Sequence, residues 1–363
     1  MKVLNKALLI AGVAAISSQA QAQITLAPKN DSTFTLKFAG RTNMDLGTYL
    51  ATDSAADNGA AVNDTRLCFV ANWDNWETKV EVCYANKAIS FRDVYIRYNF
   101  SKNNKLTIGN QFMPYGTKPA GLNYKFVEDG SVDYALCSAR KMGINYLYTT
   151  DPLNLTAGIY SDGNVDAKGI NKGYNLAAQA IWRPICDEST ILHFGGAFIH
   201  TVSPAKVSYS GIVPTTIETR KVISTTEGDA DNVERWEASL LFIHTKLLLE
   251  ARFLGSNVKS DAFVDDSYYG AWGQVSYQIL GSQQKYNKAT GLASNSAAGT
   301  LEVLARYDYL DLKSFGKQND FQIGVNYFFS KHLNLKFNYV YVDQDIVDRD
   351  PYHLVQARLQ FSF

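Results

Sequence analysis

Five histidines (His193, His200, His244, His332 and His353) and four cysteines (Cys68, Cys83, Cys137 and Cys186) are the first places to look for catalysis or metal binding. Acid–base work by imidazole needs a partner, and a metal needs several ligands at a defined spacing. The histidines stand singly, with no HExxH pair, and the cysteines follow no metal-ligand spacing. No Gly-x-Ser-x-Gly elbow and no phosphate-cradling glycine loop occurs. The run Asp343, Asp345, Asp348 and Asp350 would suit calcium, or a divalent bridge to lipopolysaccharide. Its spacing is not that of a calcium loop, so a solvated acidic loop accounts for it, as it does for the acidic stretch 227–231. The residues therefore assign no catalytic group, no metal and no cofactor. A hydrolytic site would need a Ser/His or Asp/His set, and the sequence alone assembles none.

What the chain supplies instead is charge at every second position. Thr35, Lys37, Ala39, Arg41 and Asn43 alternate with Phe34, Leu36 and Phe38. Arg66, Cys68, Val70 and Asn72 alternate with Leu67, Phe69, Ala71 and Trp73. An Asp74-Asn75 turn follows. The return strand opposes Glu77, Lys79, Glu81 and Cys83 to Trp76, Val80, Val82 and Tyr84. Then Asp93, Tyr95, Arg97 and Asn99 alternate with Val94, Ile96, Tyr98 and Phe100. Period-two patterning of this kind makes strands with one apolar and one polar face. In the first hairpin Cys68 and Cys83 point to the same side, diagonal to one another. A strained bridge and two free thiols are both open there.

The pattern continues around Ile144, Leu155, Leu176, Phe194, Leu240, Leu249, Val275, Val303, Ile323, Leu335 and Leu359, giving sixteen segments. The connections sort into two classes. Residues 46–63, 112–139, 161–173, 200–232, 255–268, 311–319 and 342–351 are long; 74–75, 101–104, 149–152, 244–245 and 330–331 are short. Long outer loops alternating with short inner turns are a consequence of threading a sheet through a bilayer. The connection 281–299 is long where a short turn is due.

The first residues decide the compartment. Lys2 and Lys6 precede the apolar stretch Ala7 to Ile16 and the small-x-small triplet Ala20-Gln21-Ala22, so residues 1–22 read as a secretory signal peptide. Removing these two lysines takes the neutral chain to a net charge of −2, which suggests no nucleic-acid partner. No other apolar run is long enough for a membrane helix. In hydrocarbon, an open sheet edge cannot survive, so sixteen strands must close. A ring of that size leaves a bore too wide for side chains to fill. Aromatic residues are 13% of the chain. Trp73, Trp76, Tyr148 and Trp182 fall near inner turns, and Tyr49, Trp236 and Tyr341 near outer loops, as two interfacial girdles would require. The final strand alternates Val355, Ala357, Leu359, Phe361 and Phe363 with Gln356, Arg358, Gln360 and Ser362. Its terminal aromatic, with Phe361, resembles the recognition signal of the outer-membrane assembly machinery.

Several segments, in order, resemble the phosphate-selective porin O/P family. They are 34–41 (FTLKFAGR), 91–98 (FRDVYIRY), 106–109 (LTIG) and 111–116 (QFMPYG), then 247–253, Ala271-Trp272, 301–311 (LEVLARYDYLD), 321–327 and 335–339. Asn110 departs slightly from the family's pattern. The resemblance implies a sixteen-stranded, usually trimeric diffusion channel in the outer membrane. It also implies constriction by the third and fifth outer loops and one long periplasmic turn, here 112–139, 200–232 and 281–299. That accounts for the long turn and puts Lys118, Lys125, Glu128 and Asp129 on the constriction loop.

The reading is thus an all-β, sixteen-stranded antiparallel transmembrane barrel over residues 23–363, a non-enzymatic porin for small hydrophilic solutes. An outer-membrane barrel enzyme, or a structural barrel with a plugged lumen, is the alternative. Its partners would be outer-membrane lipid and lipopolysaccharide, the assembly machinery, the permeating solutes or anions, and two further copies in a trimer. The inward positions carry Lys37, Arg41, Arg66, Lys79, Arg97, Lys141, Arg235, Arg252, Arg306, Lys336 and Arg358. Against them stand Asp45, Glu77, Glu81, Asp93, Glu237, Glu250, Glu302 and Asp308. Cations lead slightly, so the expectation is a weak anion preference with Lys37, Arg41 and Arg97 near the constriction. The alternative is a hydrated wall without selectivity.

Overall fold

The computed structural model describes residues 24–26, 33–50, 58–85, 88–120, 124–165, 173–202, 207–217, 220–226, 228–260, 266–345 and 350–363. The segment 1–22, read from the sequence as a signal peptide, lies outside them, as do Asp348 and Glu227. Sixteen long strands make one antiparallel sheet: β1 Phe34–Leu50, β2 Gly59–Trp73, β3 Trp76–Ala85, β4 Ala88–Asn99, β5 Asn104–Phe112, β6 Arg140–Thr149, β7 Leu153–Ser161 and β8 Tyr174–Cys186. The series continues with β9 Thr190–Val202, β10 Asn232–His244, β11 Leu247–Lys259, β12 Asp266–Leu280, β13 Thr300–Asp311, β14 Lys317–Phe328, β15 Leu333–Gln344 and β16 Tyr352–Ser362. Each pairs with its sequence neighbours. β1 also pairs with β16, from Arg41↔Ser362 to Leu50↔His353, so the sheet closes into a barrel. Below that seam a three-residue strand, Ile24–Leu26, pairs with β1 at Leu36 to Phe38, covering the edge that β16 leaves.

The alternation is that of a water-soluble protein turned inside out, with apolar residues outward and polar residues inward. Phe321 is 42% exposed, while its neighbours Asp320 and Gln322 are wholly buried inside the ring. Leu67, Ile96, Ile144, Leu176, Phe194, Leu240, Phe253 and Leu359 likewise face outward. An exposed apolar band around a polar interior is stable in lipid and unstable in water. The inner hairpins use tight turns. Asp74 and Thr245 adopt φ of 48° and 50°, the left-handed region that two-residue hairpins require.

Three expectations need correction. Tyr49 is not in the outer girdle: it has the inward parity of Arg41 and Asp45 and is buried against Tyr352 at 6.2 Å. The outer connection between β3 and β4 is only two residues, 86–87, so the outer loops are not uniformly long. The interior is also not polar throughout. Leu254, Leu310, Val340, Val342 and Leu354 point inward at the outer ends of their strands and form an apolar cluster. They are dry because inward-folded segments cover them. All four cysteines are free; Cys68 pairs in register with Glu81 and Cys83 with Arg66, which keeps the two thiols diagonal.

Candidate functional site

Three segments fold into the barrel and decide which part of the wall stays open. The first is the connection 113–139 between β5 and β6. It crosses the bore and docks on the far wall, β10 to β15. The Gly116 N–H donates to Glu237 at 2.6 Å, and the Tyr115 hydroxyl to the Trp236 carbonyl at 3.0 Å. Lys125 Nζ lies 2.6 Å from Glu302 and 3.0 Å from Gln284. The Val127 N–H donates to Asn338 at 2.7 Å. A short helix, α1 (Ser131–Leu136), ends the crossing: the Ser131 N–H donates to Asp320 at 3.0 Å, and Asp133 meets Arg306 at 2.9 Å.

The second segment, 207–226, carries a small hairpin, Ser210–Ile212 against Lys221–Ser224. Gln318 and Gln356 donate to the Ile212 and Pro214 carbonyls, both at 2.8 Å. Thr216 donates to Asp45 at 2.7 Å. The third is the long inner connection 281–299. Asn154 donates to the Lys288 and Ala289 carbonyls at 2.9 and 2.8 Å, and Arg183 to the Tyr286 hydroxyl and the Lys288 carbonyl at 3.3 and 3.2 Å. Leu292 and Ala293 pack beneath Tyr124 of the first segment.

These contacts divide the residues expected to line the pore. Arg252, Arg306 and Arg358 do point inward, but each side chain is only 2% exposed. Arg252 is bound by Glu237 and Glu250, Arg306 by Asp133 and Asp308, and Arg358 by Asp45. Trp272 lies between the first two guanidiniums, 4.0 Å from Arg306 and 5.9 Å from Arg252. These arginines are anchors beneath folded-in segments, not an open lining. Lys125, buried on Glu302, is an anchor as well. A buried ion pair holds its place because removing one partner leaves the other charge unpaired.

The wall left uncovered, β1 to β6, holds a continuous ladder. Asp64 meets Arg41 at 2.6 Å and Arg66 at 2.7 Å. Glu81 meets Arg66 at 3.0 Å and Lys79 at 3.4 Å. Asp93 meets Lys79 and Arg140, both at 2.6 Å. Glu77 holds Arg97 at 2.8 Å, a short way toward the inner mouth. Side-chain exposure here is 15% for Arg41, 21% for Lys79 and 25% for Arg97, roughly ten times that of the three arginine anchors, while Arg66, at 5%, is buried within the ladder. Lys37 and Lys105 also face this side and have no carboxylate within 4 Å among the described residues.

Two ladder-side cations escape strict alternation. The pairing of β3 with β4 slips between Val80↔Val94 and Val82↔Phe91, so Arg92 and Asp93 together oppose Glu81. This bulge brings Arg92 within 3.6 Å of the Cys83 sulfur, itself 2.9 Å from Asp64. Arg140 starts β6, where the guanidinium stacks 3.9 Å over Phe112 and reaches Asp93. Alternation points to Lys141 instead, which bonds Asp162 at 3.1 Å. With Arg92 and Arg140 included, and with the Asp45 sealed by Arg358 and the Lys141–Asp162 pair set aside, eight cations (Lys37, Arg41, Arg66, Lys79, Arg92, Arg97, Lys105, Arg140) face four carboxylates (Asp64, Glu77, Glu81, Asp93), an excess of four.

The crossing segment brings its own charges. Lys118 and Asp129 form an ion pair. Burial alone would lower the Lys118 ammonium, but the Asp129 carboxylate outweighs it and the net shift is upward. Glu128 is half-buried, and its carboxylate accepts the Asp129 N–H at 2.9 Å. Burial first, and the Asp129 charge second, push the Glu128 carboxyl up to about 7.

A closed sixteen-stranded barrel with an apolar outer band, a charged bore and inward-folded constricting segments defines a porin, a channel of the bacterial outer membrane. Within that class the chain belongs to the family of phosphate-selective porins O and P, whose model matches residues 36–363. No curated protein matches the chain in sequence. Among solved structures it is similar to a loop-deletion form of OmpT, an outer membrane protein of Vibrio cholerae, at 15% identity and TM-score 0.64, over 92% of this chain and 100% of that one. OprB of Pseudomonas putida gives 9% identity and TM-score 0.62 over 90% and 94%. The anion-selective porin from Comamonas acidovorans gives 13% and 0.60 over 91% and 100%. The protein is therefore an outer-membrane porin.

Proposed function

We propose that this porin is a non-enzymatic, passive diffusion channel for small hydrophilic solutes, weakly selective for anions, whose preference is set by the β1 to β6 wall. The observation that carries the reading is the excess of four cations on the one wall that the three inward segments leave uncovered. A polar wall of mixed sign orients solutes, and its surplus charge biases which ions enter. Lys37, Arg41, Arg66, Lys79, Asp93 and Arg97 belong to the selective wall. Lys118, Glu128 and Asp129 face it from the constricting segment.

The chain begins in this reading with a signal peptide, residues 1–22, and the barrel assembles as a homotrimer. Phe361 and Phe363 serve as the assembly signal. In support, Gly40 and Phe363 exchange backbone hydrogen bonds at 2.9 Å across the seam, and a Cβ on Gly40 would fall 2.5 Å from the Phe363 ring. Reversal potential across a planar bilayer in a salt gradient tests the function. An anion preference that weakens in Arg41→Ala with Arg97→Ala is the expected result. Cation preference in the unaltered protein overturns the assignment, and absence of conductance favours a plugged structural barrel.

A further inference from the structure

We infer that the outward face of β10 to β14 is a docking site for one phosphorylated, multiply acylated glycolipid of the outer leaflet, with an acyl chain in a groove of the barrel wall and a phosphate at Lys313. The wall is not uniformly bulky on its lipid side. Ala251, Gly273 and Ala305 form the floor of an apolar groove of about 520 Å³, walled by Phe242, Tyr307 and Phe321. Gly273 stands in register between Ala251 and Tyr307. Its backbone does not demand glycine, since a Cβ there would meet nothing closer than 3.9 Å. The missing side chain leaves a hollow where lipid-facing strands otherwise carry large residues.

Above the groove the wall changes character within one strand. Tyr269 lies four residues from Gly273 toward the outer end of β12, roughly 13 Å along a strand. Tyr269 belongs to a row of rings: Trp236 to Phe253 at 4.9 Å, Phe253 to Tyr269 at 6.1 Å and Tyr269 to Tyr309 at 6.3 Å. Aromatic rows of this kind mark the headgroup level. Beyond the row, Asp311 is already satisfied by the Tyr269 and Tyr309 hydroxyls, at 3.0 and 3.2 Å, and by the Lys313 N–H at 2.7 Å. Lys313 holds a left-handed backbone, φ 57°, that places its ammonium 4.6 Å from the Tyr269 ring centre. No carboxylate lies within 4 Å of that ammonium among the described residues. A cation at headgroup height, an aromatic row and an apolar slot in vertical order match an anionic lipid, head to tail, with charge and depth both complementary.

Titration of the detergent-purified barrel with hexa-acylated lipid A or with phosphatidylglycerol, read by native mass spectrometry, tests the site. One lipid A per barrel, bound at least fivefold more tightly than phosphatidylglycerol, is expected. Gly273→Leu, which fills the slot, and Lys313→Ala, which removes the cation, should each weaken that binding at least fivefold, with heat-modifiable migration as the check on assembly. Equal binding by both variants overturns the inference, as does equal binding of the phospholipid. Cross-links between barrels through Ala251→Cys would also overturn it, because the occupant would then be a second copy. Should Gly273→Leu not assemble, the exposed Lys313→Ala decides alone.

Discussion

Replacing Asp93 by Asn isolates the part of the bore that sets selectivity. Asp93 bonds Lys79 and Arg140 at 2.6 Å each, at the centre of the ladder, and its side chain is 19% exposed, so its charge is felt in the channel. The amide keeps the shape and some hydrogen bonding but raises the surplus on the wall from four to five. Two unit charges about 8 Å apart in water interact by about 0.5 kcal/mol, and screening at 0.1 M salt, where the Debye length is ~10 Å, reduces this to about 0.2 kcal/mol. That favours each anion by about 1.5-fold and disfavours each cation equally, so the permeability ratio should rise about twofold. At 1 M salt the Debye length is ~3 Å and the change should nearly vanish. The assay is reversal potential at both ionic strengths, with matched gradients. A ratio that does not move at 0.1 M, or moves equally at 1 M, would refute the idea that this wall acts through its net charge. A movement toward cations would show that Asp93 works chiefly by ordering Lys79 and Arg140.

Other perturbations separate the constriction from its anchors. Because the Glu128 carboxyl is raised from 4.5 to about 7, it is largely neutral at pH 5.5 and charged at pH 8.5; anion preference should therefore grow as pH falls, and Glu128→Gln should flatten the profile. If the slope survives in that variant, another group is responsible. Arg306→Leu leaves Asp133 and Asp308 buried without their partner, which costs about 3–5 kcal/mol. The crossing segment should then detach, with larger single-channel conductance and faster proteolysis within 113–139, and unchanged conductance and protection would count against its role as an anchor.

Alternation alone is enough to read the barrel, because in a membrane the side-chain period and the environment period coincide: Phe321 outward, Asp320 and Gln322 inward, strand after strand. Register with the lipid is also legible, since a one-residue slip would put charge into hydrocarbon. The rule fails where local structure departs from the period. The bulge opposite Glu81 turns Arg92 inward, and the strand end at Arg140 lets a nominally outward residue reach Asp93. Inward parity is likewise blind to what covers a residue. Arg41 and Arg358 pair with carboxylates on the same side of the same seam, yet one is part of an open ladder and the other is sealed. The difference comes from Thr216, 171 residues from Asp45 in the chain, folding back to bond that carboxylate.

The same distinction explains why composition is a poor guide to selectivity in this channel. Arg252, Arg306 and Arg358 add three positive charges to the lumen, but Glu237, Glu250, Asp133, Asp308 and Asp45 enclose them in pairs that a permeating ion does not approach. Such pairs act at short range in a dry setting and fix where the crossing segments lie. The ladder, partly open to the bore at Arg41, Lys79 and Arg97, acts at longer range through water. Evolution of either set has a different consequence: a changed anchor alters the width and path of the bore, whereas a changed ladder residue alters its charge at constant width. An anchor variant that frees the crossing segment also carries Glu128 away from the bore, so the test rests on the ladder: a ladder variant that changed the conductance as an anchor variant does would contradict the division of the wall itself.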